Sequence, residues 1–224
     1  MIKICVSGSK GRMGSRIAEL SKDDAGLELA GSFDAGDEPR GPVEVCDCLI
    51  EFTTPEATVK NLGLCEELGK AIVIGTTGLS EAEQEKVKEA AKKIPVLFSP
   101  NMSVGVNLLF KMIGDAAKAL GDGYEVSIVE AHHVHKKDAP SGTAKEMARI
   151  VKEARKDIEV PIESVREDEI VGEHTITFDS PGDLIEITHS AKTRDILAKG
   201  ALQAAKFVVG KPAGLYTMKD VLGI

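Results

Sequence analysis

Residues 2–14 read IKICVSGSKGRMG. Ile2 to Val6 is a short apolar run of strand length. Small and basic residues follow, Ser7-Gly8-Ser9-Lys10-Gly11-Arg12-Met13-Gly14, and then Met13, Ile17 and Leu20 recur at helical spacing. Strand, glycine-rich turn and helix are the context that a phosphate-binding turn requires. Glycine lets the backbone approach a pyrophosphate, and the free N–H groups of the helix start point at it. The spacing is GxxGxxG, with Lys10 where the commoner pattern has its second glycine, so a tight structural turn stays open on this stretch alone.

Working outward, Leu27 to Phe33 reads as a second strand ending at Asp34, twenty residues beyond Gly14. A carboxylate there can accept hydrogen bonds from the adenosine ribose hydroxyls and disfavours a 2′-phosphate, which leans toward NADH; Lys10 and Arg12 could offset that repulsion and keep NADPH open. Residues 35–44 read as loop. Further strands are expected at Val45 to Phe52, Ala71 to Ile74 and Val96 to Phe98, with helices from Pro55 and, behind a Ser80/Glu83 capping box, from residue 81. This alternation predicts a Rossmann-like, doubly wound parallel sheet. Gly75-Thr76-Thr77 and Ser99-Pro100-Asn101-Met102 follow the fourth and fifth strands, at the sheet end where ligands bind; either turn alone is also ordinary loop chemistry.

The pattern changes after residue 103. A long amphipathic helix over Val104 to Leu120 precedes a strand at Val126 to Ala131, a helix at Gly142 to Lys156, and strands at His174 to Phe178 and Leu184 to His189 paired around Asp179-Ser-Pro-Gly182. Strands with few intervening helices predict a second, α+β domain with an open mixed sheet. Helix returns at Ile196 to Val209. The expected division is a dinucleotide-binding domain of residues 1–103 and 194–224 around a substrate-binding and oligomerisation domain of residues 104–193.

The chain has 224 residues, 42% hydrophobic and 29% charged, with net charge −8. That acidity argues against nucleic-acid binding, while a local basic cluster inside it suggests a small anionic ligand. No apolar run approaches the roughly 20 residues of a membrane span, and the opening residues lack a signal-peptide pattern, so a cytoplasmic protein is expected. Cys5, Cys46, Cys48 and Cys65 read as reduced, buried thiols; Cys46 and Cys48 are expected to face opposite sides of their strand.

Residues 130–144 read EAHHVHKKDAPSGTA and carry three of the five histidines, His132, His133 and His135. Pro140-Ser141-Gly142-Thr143 looks like a helix start with Ser141 as N-cap, so the N–H groups of Gly142 and Thr143 form a carboxylate or phosphate site. Lys136 is positioned to act as an acid or electrostatic clamp, and His132 and His133 add donors that titrate near neutrality. Lys137 and Asp138 read as a surface charge and a turn residue. A metal site from His132, His133 and His135 is disfavoured, because no carboxylate or cysteine sits at the usual zinc spacing and two lysines would repel a cation.

VSGSKGRMG at Val6, EFTTPEA at Glu51, SPNMSVGVN at Ser99, EAHHVHKKDAPSGTA at Glu130 and the C-terminal GALQAAKFVVGKPAGLYTMKDVLGI together resemble the 4-hydroxy-tetrahydrodipicolinate (dihydrodipicolinate) reductase family of the diaminopimelate route to lysine. The resemblance implies reduction of a cyclic diacid by NADH or NADPH. It implies His132 as catalytic proton donor or acceptor, Lys136 as proton donor, and substrate contacts from His133, Gly142 and Thr143, with Ser141 beside them. It places the cofactor against Gly8, Ser9, Lys10, Gly11, Arg12, Met13, Asp34, Gly75, Thr76, Thr77, Ser99, Pro100, Asn101 and Met102, with no metal. It further implies a homotetramer through the second domain's sheets, with the chain from about Arg194 returning to the nucleotide domain. The chain departs from the family in a trimmed loop after Asp34, in Glu51 where an aspartate is usual, and in Ala35 where some members carry an arginine. Two rivals have a similar build: a semialdehyde or homoserine dehydrogenase, the former needing a nucleophilic cysteine, and a nucleotide-sensing regulator without catalysis.

Overall fold

The computed structural model describes every residue, Met1–Ile224, and the chain divides into two compact units, Met1–Val104 with Asp195–Ile224, and Gly105–Arg194. The first unit is a parallel sheet of β1 (Ile2–Ser7), β2 (Leu27–Phe33), β3 (Cys48–Glu51), β4 (Ala71–Ile74), β5 (Pro95–Phe98) and a short final strand β10 (Gly214–Tyr216), in the order β10-β5-β4-β3-β1-β2. Its helices are α1 (Arg12–Ser21), α2 (Arg40–Glu44), α3 (Pro55–Leu68), α4 (Glu81–Ala91), α7 (Asp195–Val208) and α8 (Met218–Leu222). β3 and β4 are buried at every position, as expected for strands covered on both faces.

One face packs Ile4, Val6, Ile50, Val73 and Leu97 against Ala198, Ala201, Ala204, Ala205 and Val208 of α7. Small residues let this helix lie close: a Cβ on Gly200 would strike the Met102 carbonyl. Arg16 of α1 grips Asp195 at the start of α7 through two hydrogen bonds of 2.6 Å. These contacts, all among buried or half-buried groups, tie the last thirty residues to the first hundred. The other face packs Cys5, Leu49, Ile72, Ile74 and Val96 against α3 and α4.

The second unit contains most of α5 (Val104–Leu120), then β6 (Glu125–His132), α6 (Gly142–Ala154), β7 (Ile162–Arg166), β8 (Glu173–Asp179) and β9 (Leu184–Ser190). Its sheet runs β7-β6-β8-β9, with β7 parallel to β6 and the other pairs antiparallel. α5 and α6 supply Val106, Leu109, Ile113, Met147 and Val151 to a core shared with Val126, Ile128, Ile176 and Phe178.

Several expectations need correction. Residues 35–44 are not all loop, since Arg40–Glu44 forms a helical turn that packs Val43 into the core. β3 is shorter than expected, and β7, β10 and α8 carry too few apolar residues to announce themselves. Cys46 and Cys48 do pack on opposite sides of the sheet. Strand alternation is not the reason, because residues two apart on a strand share a face; Cys46 lies in the turn before β3. All four thiols are free and buried.

Candidate active site

The first unit offers a cradle at the carboxyl end of β1. Gly8 has φ +76°, and a Cβ there would strike the Phe52 carbonyl; a Cβ on Gly14 would strike the Gly8 carbonyl. Both glycines are therefore required by close backbone approach. Gly11 caps α1 with no side-chain hydrogen bond, and the first turn carries no acidic residue, so no side chain of the turn competes for an incoming anion. Asp34 is held by the Lys10 N–H at 2.7 Å and its own neighbour's N–H, Ala35, at 2.8 Å. The Lys10 backbone foremost, then the Ala35 N–H, holds its carboxyl below the usual range. A cavity of about 680 Å³ opens here, lined by Gly8, Gly11, Asp34, Asp37, Thr53 and Thr54 among others. These features fit a dinucleotide: glycines for the pyrophosphate, an oriented carboxylate for a ribose.

Beneath the cavity, buried Glu51 accepts from Asn61 at 2.6 Å, from Thr58 at 3.3 Å and from Thr53. Asn61 also reaches Ser7 at 3.0 Å. Burial pushes the Glu51 carboxyl up, and these donors oppose the push. The network fastens β1, β3 and α3 around Thr53 and Thr54. Of the residues the sequence pointed to, Gly8, Gly11 and Asp34 line this cavity. Gly75–Thr77 and Ser99–Asn101 lie beyond it, past the ends of β4 and β5, though Thr76 Oγ1 accepts from the Thr53 N–H at 2.9 Å. Met102 is buried in the core with its carbonyl packed against Gly200, so it does not itself offer a surface to a ligand.

In the second unit the site is an extension of the core. β6 buries alternate residues, Val126, Ile128, Glu130 and His132, and β8 buries His174, Ile176 and Phe178. The antiparallel register pairs Val126 with Phe178, Ile128 with Ile176 and Glu130 with His174. The same inward face thus passes from apolar to ionisable within one row. A buried charge must be paired and hydrogen-bonded, and Glu130 is. Oε2 meets His132 Nδ1; Oε1 accepts from Arg166 Nη2 at 2.9 Å and from the Ser141 N–H at 3.3 Å. Burial pushes the Glu130 carboxyl up, but the hydrogen bonds from Arg166 and His132 outweigh it and hold it at about 2.

Burial lowers His132, with Lys136 and Arg166 adding to the effect against Glu130. His174 lies edge-on to it at 5.0 Å between ring centroids, and burial first, then His132, lowers His174 to about 4. Burial thus favours the neutral form of both rings. His174 Nε2 sits 3.1 Å from Ser141 Oγ, and that hydroxyl caps α6 by accepting from the Ala144 N–H at 3.2 Å. The capping at Ser141 follows the sequence expectation. A Cβ on Gly142 would meet no protein atom within 4 Å, so no internal crowding explains the glycine. His133 lies just beyond the end of β6, half-buried, with Nδ1 unpartnered. Lys136 is clamped by both oxygens of Asp138 at 2.8 and 2.9 Å, and Arg166 Nη2 donates to the Asp138 carbonyl at 2.6 Å. Asp138 is therefore more than a turn residue.

Glu130, His132 and His174 place one ligand atom each within 4.8 Å of one another. With the Arg166 cation already on the same carboxylate, this cluster is built as a hydrogen-bond network. It differs from the three-histidine metal reading, since His133 and His135 are not in it.

Residues 2–102 match the family described as Dihydrodipicolinate reductase, N-terminus, and residues 105–222 match its C-terminus counterpart. The chain belongs to the dihydrodipicolinate reductase family. A 4-hydroxy-tetrahydrodipicolinate reductase of Geotalea daltonii is 43% identical over an alignment of 266 positions that covers all of both chains. One from Geobacter metallireducens is 44% identical with the same coverage. Among solved structures, a dipicolinate-bound dihydrodipicolinate reductase from Paenisporosarcina sp. shares the fold at TM-score 0.85 over 97% of each chain, with 24% identity. An engineered D-amino acid dehydrogenase bound to NADP+ shares it at TM-score 0.58 over 97% of this chain and 93% of that one, with 15% identity.

Within this chain, sequence reasoning missed Glu130, Arg166, His174 and the Thr53–Thr54 wall. Glu130 had a usable signal, because it sits two residues before His132 on a strand and must share its face. Arg166 and His174 had none, since only tertiary pairing of β7 and β8 with β6 brings them in.

Proposed function

We propose that the protein reduces 4-hydroxy-tetrahydrodipicolinate to tetrahydrodipicolinate with a reduced nicotinamide cofactor, in lysine biosynthesis through diaminopimelate. The observation that carries this reading is the convergence of His132, Arg166 and the start of α6 on the buried Glu130 carboxylate, with Lys136 held by Asp138, whose carbonyl the same Arg166 binds, in a chain of this family. The overall change takes up a hydride and a proton and releases water, so the site needs an anion cradle and a proton source. When bound, the cofactor supplies a hydride from nicotinamide C4 to the unsaturated ring. The N–H groups at Gly142 and Thr143, with Ser141 fixing the turn and His133 beside it, hold a substrate carboxylate. Lys136 delivers the proton and His132 assists as a hydrogen-bonding partner of the reacting ring. Asp138 keeps the Lys136 ammonium aimed until the diacid arrives.

On the cofactor side, the turn from Gly8 through Ser9, Lys10, Gly11 and Arg12 to Met13 binds the pyrophosphate, and Asp34 the adenosine ribose. Gly75, Thr76 and Thr77, with Ser99, Pro100 and Asn101, accommodate the nicotinamide end, and Met102 anchors that turn to the core. NADH is the preferred donor and NADPH is accepted, because Asp34 and Asp37 both present carboxylates near the ribose position and Lys10 already sits 3.7 Å from Asp37. A semialdehyde dehydrogenase reading loses its nucleophile, since all four cysteines are buried in the first unit.

Parallel titrations with NADH and NADPH, following loss of reduced-nicotinamide absorbance with enzymatically generated substrate, test both parts. Turnover with each, at higher kcat/KM for NADH, is expected. Binding of the cofactor without oxidation by the diacid would leave the regulator reading instead; a higher kcat/KM for NADPH would reverse the assignment to Asp34 and Asp37.

A further inference from the structure

Nothing in the assignment of His132 says which ring nitrogen carries its proton, and a proton-handling imidazole works only in one tautomer. The structure answers through Glu130. An ionised carboxylate accepts and does not donate, and the Glu130 carboxyl is held near 2. His132 Nδ1, its neighbour, must therefore bear the hydrogen, which leaves Nε2 as the acceptor. The Nε2 edge lies beside Gly172, where a Cβ would stand only 3.1 Å away, so glycine keeps that edge open.

We propose that Glu130, fixed by Arg166, is a positioning residue that locks His132 in its Nδ1–H tautomer and registers the Lys136 loop and the α6 start against it. The inference rests on the functional reading above and goes beyond it. Three parts of the site meet on this pair. His132 and the Ser141 N–H bind the carboxylate directly; the Asp138 carbonyl, next to the side chain that clamps Lys136, binds the guanidinium. The groups facing His132 are Glu130 from its own strand, Lys136 from the following loop, Arg166 from β7 and His174 from β8.

Glu130→Gln is the decisive variant because it keeps shape and changes donor count. Oε1 must still accept from Arg166 and the Ser141 N–H, so the new amide NH₂ faces His132 Nδ1. That nitrogen must then accept, and the proton moves to Nε2. Long-range ¹H–¹⁵N spectra of histidine-labelled protein at mildly alkaline pH read the tautomer directly. We expect Nδ1–H in the wild type and Nε2–H in Glu130→Gln. The kcat should fall about 10²-fold, with KM for the reduced cofactor unchanged. A wild-type spectrum showing Nε2–H overturns the proposal whether or not the variant folds. So does a variant that keeps Nδ1–H, or that flips and retains wild-type kcat. His132→Ala separates this from the parent reading: full turnover in that variant removes His132 from the chemistry, whereas an inactive His132→Ala beside a fully active Glu130→Gln sinks the positioning role alone.

Discussion

Gly142 is the residue where function and stability separate most cleanly. No protein atom lies within 4 Å of a Cβ built there, and its φ is not in the left-handed region. Gly142→Val should therefore fold with a Tm close to wild type, and raise KM for the diacid about tenfold or more by blocking approach to the α6 N–H groups. An unchanged KM would remove the anion cradle from the account. The role proposed for Gly142 was suggested by the sequence, because a glycine at the first helical position is otherwise a poor choice. The role of Asp138 was not. A Lys-x-Asp spacing in a loop says nothing about whether the two side chains turn toward each other, and the ion pair exists because residues 133–141 curl back toward Arg166.

At the scale of elements, β6 and β8 are amphipathic strands whose buried faces change character at one end. Their alternation was readable, and so were their ends to within a residue or two. That Glu130 and His174 stand opposite one another was not, because register depends on how the strands pair. The consequence is pH-dependent stability. His174 has its folded value depressed to about 4 from an ordinary 6.5, chiefly by burial, so the unfolded chain takes up the proton first as pH falls. The stabilisation from a neutral His174 is complete above about 6.5 and is lost as pH drops toward 4. Glu130, depressed to about 2 from 4.5, adds a second loss below about 4.5. The unfolding free energy of the wild type, from urea titrations, should fall from pH 7 to pH 4 by an amount on the order of 2–3 kcal/mol. In His174→Asn that fall should be visibly smaller. An equal slope in the two proteins would show that His174 titrates normally.

For the whole molecule, the first unit's sheet was almost entirely legible, because consecutive parallel strands and helices repeat one pattern from Ile2 to Phe98. β10 and α8 were missed because a three-residue strand and a five-residue helix have no periodicity to detect. Return of the chain to the first unit was implied by family likeness alone; its physical basis is the close fit of α7, with Gly200 against Met102 and Arg16 on Asp195. Within the second unit, α5 and α6 cover one sheet face, while the other presents Val129, 40% exposed, with Thr175 and Thr188 hydrogen-bonded across strands at 2.9 Å. We propose that this face joins copies of the chain into the homotetramer expected for the family. Val129→Glu should then lower the mass seen by sedimentation equilibrium, at unchanged secondary structure. A wild type that sediments as a monomer would refute the proposed interface.

The account stands on Lys136 as the proton source for reduction of the cyclic diacid. Its most direct test is turnover by Lys136→Ala at saturating reduced cofactor and saturating, enzymatically generated 4-hydroxy-tetrahydrodipicolinate, measured beside the wild type. The account predicts a kcat lower by about 10²-fold or more with cofactor affinity retained. Wild-type turnover by that variant would contradict it.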